Sequence, residues 1–249
     1  MNPSETNAMG QPLGRRLVGW KPVPRPEHRV FEGRFCRLEP LDPARHAADL
    51  FSANAEDSEG RMWTYLPYGP FVDWNDYLHW VESVAKSEDP LFFAIVDPGK
   101  ERAIGVAAYL RIDPANGSVE VGHLGYSPRL QRTPAATEAM ARMMRHAFDL
   151  GYRRYEWKCD ALNAPSRAAA ERLGFRFEGV FRQAAVVKGR SRDTVWYSIL
   201  DSEWPAVASA LEAWLAPSNF DDSGRQKVPL RRWMSDAGAR CGPEPGSPG

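Results

Sequence analysis

The residues of this chain best placed to do chemistry lie in one run, residues 119–150, VEVGHLGYSPRLQRTPAATEAMARMMRHAFDL. A strand, a tight turn and a long helix follow one another there without a gap. Val119, Val121 and Tyr126 carry strand-type side chains, with Glu120, His123 and two glycines between them. Thr133-Pro134 then opens a helix, since the threonine hydroxyl can cap free amides and proline fits the first helical position, where its missing N–H costs nothing. A strand that feeds straight into a helix leaves several amides pointing one way at the positive end of the helix dipole, which suits a phosphate or pyrophosphate. Most such junctions bind nothing, so geometry alone leaves a purely structural turn as the commoner outcome.

The elements around this run are what must position it. Its helix carries an apolar stripe of Met140, Met143, Met144, Ala147 and Phe148 and stops at Gly151. Upstream, residues 35–41 read as a first strand, and Asp42-Pro43 opens a helix bearing Ala47, Leu50 and Phe51. An acidic loop with Glu56, Asp57 and Glu59 precedes an aromatic segment from Trp63 to Trp80, whose second part, from Asp73, is a helix. Residues 91–96 form a continuous apolar run that fits a buried strand, and residues 103–112 the next, before the Asn116-Gly117 hairpin. Downstream come a strand at 154–159, a short helix at 165–173, strands at 175–187 and 193–200, and a helix at 204–215. Strands first, then strands alternating with helices, predict an α/β (α+β) fold with a mixed central sheet and helices on both faces. One domain, residues 30–216, is expected between a Pro/Arg-rich arm at 1–29 and a flexible tail at 217–249.

Composition closes off several classes. Thirty-two basic residues balance thirty-two acidic ones, so no long-range field gathers nucleic acid or a membrane surface. Three scattered cysteines, Cys36, Cys159 and Cys241, form no C-x-x-C pair and read as reduced thiols of a cytoplasmic protein. The first thirty residues lack the apolar run of a signal peptide, and no window is long enough to span a bilayer. Five histidines at 28, 46, 79, 123 and 146 lack ligand spacing, which argues against a metal site.

Gln131-Arg132-Thr133-Pro134-Ala135-Ala136-Thr137 resembles the acetyl-CoA pyrophosphate loop of the GNAT superfamily of N-acetyltransferases, Q/R-x-x-G-x-G/A. Asn163-Ala164-Pro165-Ser166 followed by Leu173-Gly174-Phe175 resembles that superfamily's second motif, N-x-x-S then G-F, in the right order and spacing. The similarity is nearest to the ribosomal-protein N-terminal acetyltransferase branch and covers roughly residues 33–215. It implies a GNAT-like, mostly antiparallel sheet, acetyl-CoA as co-substrate, an amine acceptor, and compatibility with a homodimer. Two positions depart from the pattern. Pro134 replaces the usual glycine and removes one amide donor, and Ala170 stands where a proton-donating tyrosine is common.

Moving an acetyl group from a thioester to an amine needs a neutral nitrogen, and an alkylamine with a pKa of about 10 is charged at neutral pH, so a positioned base helps. The resemblance implies Glu120, eleven residues before Gln131, for that role. A strand glutamate serves equally as a solvated side chain or as the partner of an arginine. His123 is the rival base by its intrinsic pKa, with a packed, hydrogen-bonded histidine as the ordinary alternative. Ser166 is implied as the group that returns a proton to the CoA sulfur, or else it is a plain first-turn residue. Asn163 is implied to hold the pantetheine arm or to cap its helix. The backbone of Leu124, Gly125 and Tyr126 is implied to pair with pantetheine as an added strand, and Arg132 and Arg167 to reach CoA phosphates. Aromatics of the Trp63–Trp80 segment would wall the acceptor, with Glu56, Asp57 and Glu59 as candidates to hold a cationic amine. A non-catalytic acyl-CoA-binding module is the alternative of a different class.

Overall fold

The computed structural model describes residues 5–240, so Cys241 lies outside the described residues. Eight strands form one sheet: β1 (Phe31–Glu32), β2 (Arg37–Pro40), β3 (Leu91–Asp97), β4 (Arg102–Asp113), β5 (Ser118–Tyr126), β6 (Arg154–Asp160), β7 (Arg176–Val187) and β8 (Arg190–Leu200). Their spatial order is β1-β2-β3-β4-β5-β6-β8-β7. Every pairing is antiparallel except β5 with β6, which is parallel. A parallel neighbour needs a long crossover, and α3 (Pro134–Asp149) supplies it. The expected mixed, mostly antiparallel sheet is what forms.

Local chemistry fixes the helix starts. Asp42 caps α1 (Pro43–Asn54) by accepting from the amides of Ala44 and Arg45, and Asp73 caps α2 (Trp74–Val84) in the same way. Thr133 caps α3 with Pro134 behind it, and the Asn163 carboxamide accepts from the Ser166 amide to start α4 (Ala164–Arg172). These two helices pack on one sheet face with α5 (Trp204–Leu215), burying Met140, Met143, Met144, Tyr155, Trp157 and Leu211. The opposite face is covered by α1 and α2, over Phe92, Ala94, Val106 and Ala108. The α-helical cover stops at β4 among the described residues, and beyond it the aromatic segment reaches β5 through Tyr68 against His123. Each large apolar side chain so buried contributes about 1.5–3 kcal/mol.

One buried carboxylate ties the first strands to α3. Glu138, 1 % exposed, accepts from the amides of Arg34, Phe35 and Cys36 at 2.9, 2.6 and 3.1 Å. Gly33 passes so close that a Cβ there would lie 2.5 Å from the Glu138 carboxylate.

The flanks differ from expectation. Residues 217–240, expected as a flexible tail, form a short 3-10 turn and α6 (Leu230–Arg240), with Phe220 and Leu230 in the main core. Their apolar side chains are too thinly spread to show a period, yet two of them reach the core. The arm touches the domain at its second half, where the Trp20 indole donates to the Ala115 carbonyl at 2.9 Å and the Val23 amide to the Pro114 carbonyl at 3.1 Å. No described helix is long and apolar enough to cross a membrane.

Candidate active site

The central opening of the sheet is made by two strands that part. The β5–β6 ladder ends at Val121 and Trp157, although β5 runs on to Tyr126 and β6 to Asp160. Gly122, His123, Leu124, Gly125 and Tyr126 therefore keep β4 on one side and have no β6 partner on the other. Two irregularities flank this gap. Between β4 and β5 the register shifts from Ala108–Gly122 to Val106–Gly125, inserting one extra residue in β5, and His123 adopts φ 51°. A second shift lies between Leu110 and Asp113, where Arg111 adopts φ 47° while the Asp89 carboxylate accepts the Arg111 and Ile112 amides at 2.8 and 3.0 Å. Left-handed backbone is unfavourable for residues with side chains, and bulges of this kind re-aim side chains beside functional sites. Both turn toward the face that holds Glu120.

Glu120 is buried there, with Oε2 accepting from Arg111 Nη1 at 2.7 Å and from Lys158 Nζ at 2.9 Å. Oε1 makes no hydrogen bond among the described residues and lies beside Gly122. Lys158 also meets Glu156 at 2.7 Å and sits over the Trp196 ring at 3.8 Å. Arg154 links Glu156, at 2.6 Å, to Glu178, at 2.7 Å. A row of alternating charge thus runs Arg111, Glu120, Lys158, Glu156, Arg154, Glu178. Burial lifts the Glu120 carboxyl above its ordinary pKa, against the pull of Lys158 and Arg111. So Glu120 does pair with an arginine, and a free oxygen remains.

His123 packs against Phe92, its Nδ1 lies 3.2 Å from the Tyr68 hydroxyl, and the two rings stack. Burial holds its pKa down to about 4, so the imidazole is uncharged at neutral pH. Of the aromatic segment, Trp63, Phe71, Tyr77 and Trp80 belong to the core beneath α1 and α2, while Tyr68 reaches the histidine. Each member of the acidic loop has a partner: Glu56 pairs with Arg129, Asp57 accepts the Met62 amide, and Glu59 pairs with Arg61. Two bonds then span from this segment to the far half of the sheet. Tyr65 donates its hydroxyl hydrogen to the Leu162 carbonyl at 3.0 Å, and Lys188 Nζ donates to the Trp63 carbonyl at 2.8 Å.

On the other sheet face, Ser166 Oγ accepts from the Trp157 indole at 3.0 Å, and its own proton is left to donate, with the Cys159 thiol also within reach. Trp157 pairs with Val121, so Ser166 borders the gap opposite Glu120. The Asn163 carboxamide oxygen is occupied as the helix cap, leaving its NH₂ as the available donor. Gln131 and Arg132 are exposed at the turn, whereas Ala135 and Thr137 are buried. Much of the turn is self-satisfied: the Leu130 and Gln131 amides donate to the Ser127 carbonyl, Thr133 to Leu130, Ala136 to the Thr133 hydroxyl, and Gln131 Nε2 to the Tyr126 carbonyl. Pro134 has no N–H, so Arg132 and Ala135 supply the amides the turn does not consume. Arg167 is exposed on α4, where it donates to the Tyr197 hydroxyl at 3.5 Å and the Ala161 carbonyl at 3.3 Å. The arginine brought to the start of α3 is Arg172, which donates to the Thr137 hydroxyl at 3.0 Å. Arg111, Lys158 and Arg172 are the site neighbours that sequence reasoning missed, whereas Tyr68 was among the aromatics expected to wall the acceptor. The only signal was an alternation of charge along β6.

Comparison with known proteins agrees with this architecture. The acetyltransferase (GNAT) domain family matches residues 36–176. The crystal structure of a GCN5-related N-acetyltransferase from Brucella melitensis is 50% identical, with a TM-score of 0.86, over 88% of this chain and 100% of that one. An uncharacterized N-acetyltransferase, p20, of Bacillus licheniformis is 27% identical over 152 residues, covering 59% of this chain and 84% of its own. A Bacillus subtilis (strain 168) protein named as a candidate ribosomal N-acetyltransferase, YdaF, is 31% identical over 101 residues, 40% of this chain and 55% of its own. With a family domain matched across its central sheet and a half-identical relative covered end to end, this chain belongs to the GNAT acetyltransferase family and is an acetyl-CoA-dependent acyltransferase.

Proposed function

We propose that the protein transfers the acetyl group of acetyl-CoA to a primary amine by direct attack within a ternary complex. The amine nitrogen bonds to the thioester carbonyl carbon, its proton passes to Glu120 Oε1 directly or through a water, and the carbon–sulfur bond breaks. The departing sulfur takes a proton through the Ser166 hydroxyl, which recovers its own from solvent. The residues fit a CoA thioester: the unpaired edge of β5 at Leu124, Gly125 and Tyr126 can extend the ladder to pantetheine, Asn163 offers its NH₂, and the Arg132 and Ala135 amides with Arg172 suit an anion at the start of α3. The observation that carries the reading is Glu120 itself, with one oxygen fixed by two cations and the other without a partner at the mouth of the β5–β6 gap. His123 is the weaker candidate for the base, because its Nδ1 is engaged by Tyr68 and its low pKa gives little driving force for proton capture.

Thiol release with a panel of amines tests the activity. Glu120→Gln is expected to slow transfer by about 10²-fold or more at neutral pH with CoA affinity retained. An undiminished rate removes Glu120 from the role.

A further inference from the structure

The charged row across β4, β5, β6 and β7 is unfinished at one end. Lys158 lies between Glu120 and Glu156, and Arg154 between Glu156 and Glu178, so each interior cation meets two carboxylates. Arg111, the terminal cation, meets only Glu120 among the described residues, through Nη1, and its side chain is 61% exposed. Its Nε and Nη2 make no hydrogen bond among them. The left-handed backbone at Arg111, fixed by Asp89, holds the guanidinium beside the one carboxylate argued to handle the amine proton.

Resting on the reading of Glu120 as the base, we propose that Arg111 recognises the acceptor, and that the acceptor is of amino-acid type, a small amine with a carboxylate close to its nitrogen. The spare guanidinium donors match a planar carboxylate, and the ammonium then falls toward Glu120 Oε1. Charge balance favours this class. The three cations and three carboxylates of the row cancel, His123 adds no charge, and Asp89 beside Arg111 offsets Lys188 at the Trp63 carbonyl, so a zwitterion leaves the half-buried site neutral. A simple alkylammonium or a phosphate dianion leaves a net charge there, which burial penalises.

The test compares thiol release with the α-amino acids and with their α-carboxamides, on the full chain and on Arg111→Gln. The carboxamides are the less basic amines and present more free nitrogen at neutral pH, so a preference for the acid reports recognition rather than reactivity. The acids are expected to win by at least about tenfold in kcat/KM, mainly through KM. In Arg111→Gln that ratio falls toward one whatever happens to the absolute rate. Arg111→Lys, which keeps the charge without the fork, is expected to recover part of it. Carboxamides used as well as acids, acids not used at all, or an Arg111→Gln variant that keeps the preference would each overturn the proposal. A Glu120→Gln variant with full rate and an intact acid preference would instead sink the base assignment and leave Arg111 as the selector.

Discussion

Glu120 is held between burial, which raises its pKa, and two cations, which lower it, and this balance is adjustable at Lys158. Removing an opposite charge within a few ångströms raises a carboxyl pKa by about one unit or more. In Lys158→Met the acid limb of the kcat/KM profile is therefore expected to move to higher pH by about one unit. Lower activity with an unmoved limb would make Lys158 a structural partner only. Such a variant also leaves a buried carboxylate with fewer partners, so its stability must be measured beside the profile. At this scale the sequence was half legible. Ser166 stood in the N-x-x-S motif and Glu120 at the separation from Gln131 that the family resemblance implies, and Tyr68 stood in the aromatic segment, whereas Arg111 and Lys158 sit on other strands and meet Glu120 only after the sheet forms. The bulges at Arg111 and His123 also gave no sign, because neither position is glycine.

Among the elements, the helix starts were the most legible part, since capping acts within three or four residues: Asp42, Asp73 and Thr133 cap where a helix was expected to start, and Asn163 takes the capping role that was the alternative to holding pantetheine. Strand ends moved by a residue or two, and β8 began three residues early, at Arg190, because pairing with β7 continues to their shared turn. The Glu138 anchor was hidden, as its three amide donors lie about a hundred residues upstream in the chain. Replacing Glu138 by alanine strands three amides, that of Cys36 buried and those of Arg34 and Phe35 part-buried, each worth about 1–3 kcal/mol when unsatisfied away from water. A loss of at least about 3 kcal/mol in chemical denaturation is expected, and a loss under about 1 kcal/mol would mean water replaces the carboxylate.

The whole molecule has two sheet faces with different duties. One is packed by α3, α4 and α5 and borders Ser166, and the other is covered by α-helices only as far as β4 and presents Glu120. The segment after residue 216 belongs to the packed face, because Phe220 and Leu230 are buried in its core. Truncation after residue 216 is expected to lower stability by about 3–6 kcal/mol from those two side chains alone. An unchanged denaturation midpoint would restore the view of this region as a dispensable tail.

The bonds from Tyr65 to Leu162 and from Lys188 to Trp63 arch across the side from which an amine would come. They set a clearance limit. If the acceptor is a free amino acid, as proposed, it is the guest such a tie hinders least, while the blunt end of a folded protein must first unfasten it, so loosening either tie is expected to widen the range of admitted guests before it quickens any of them.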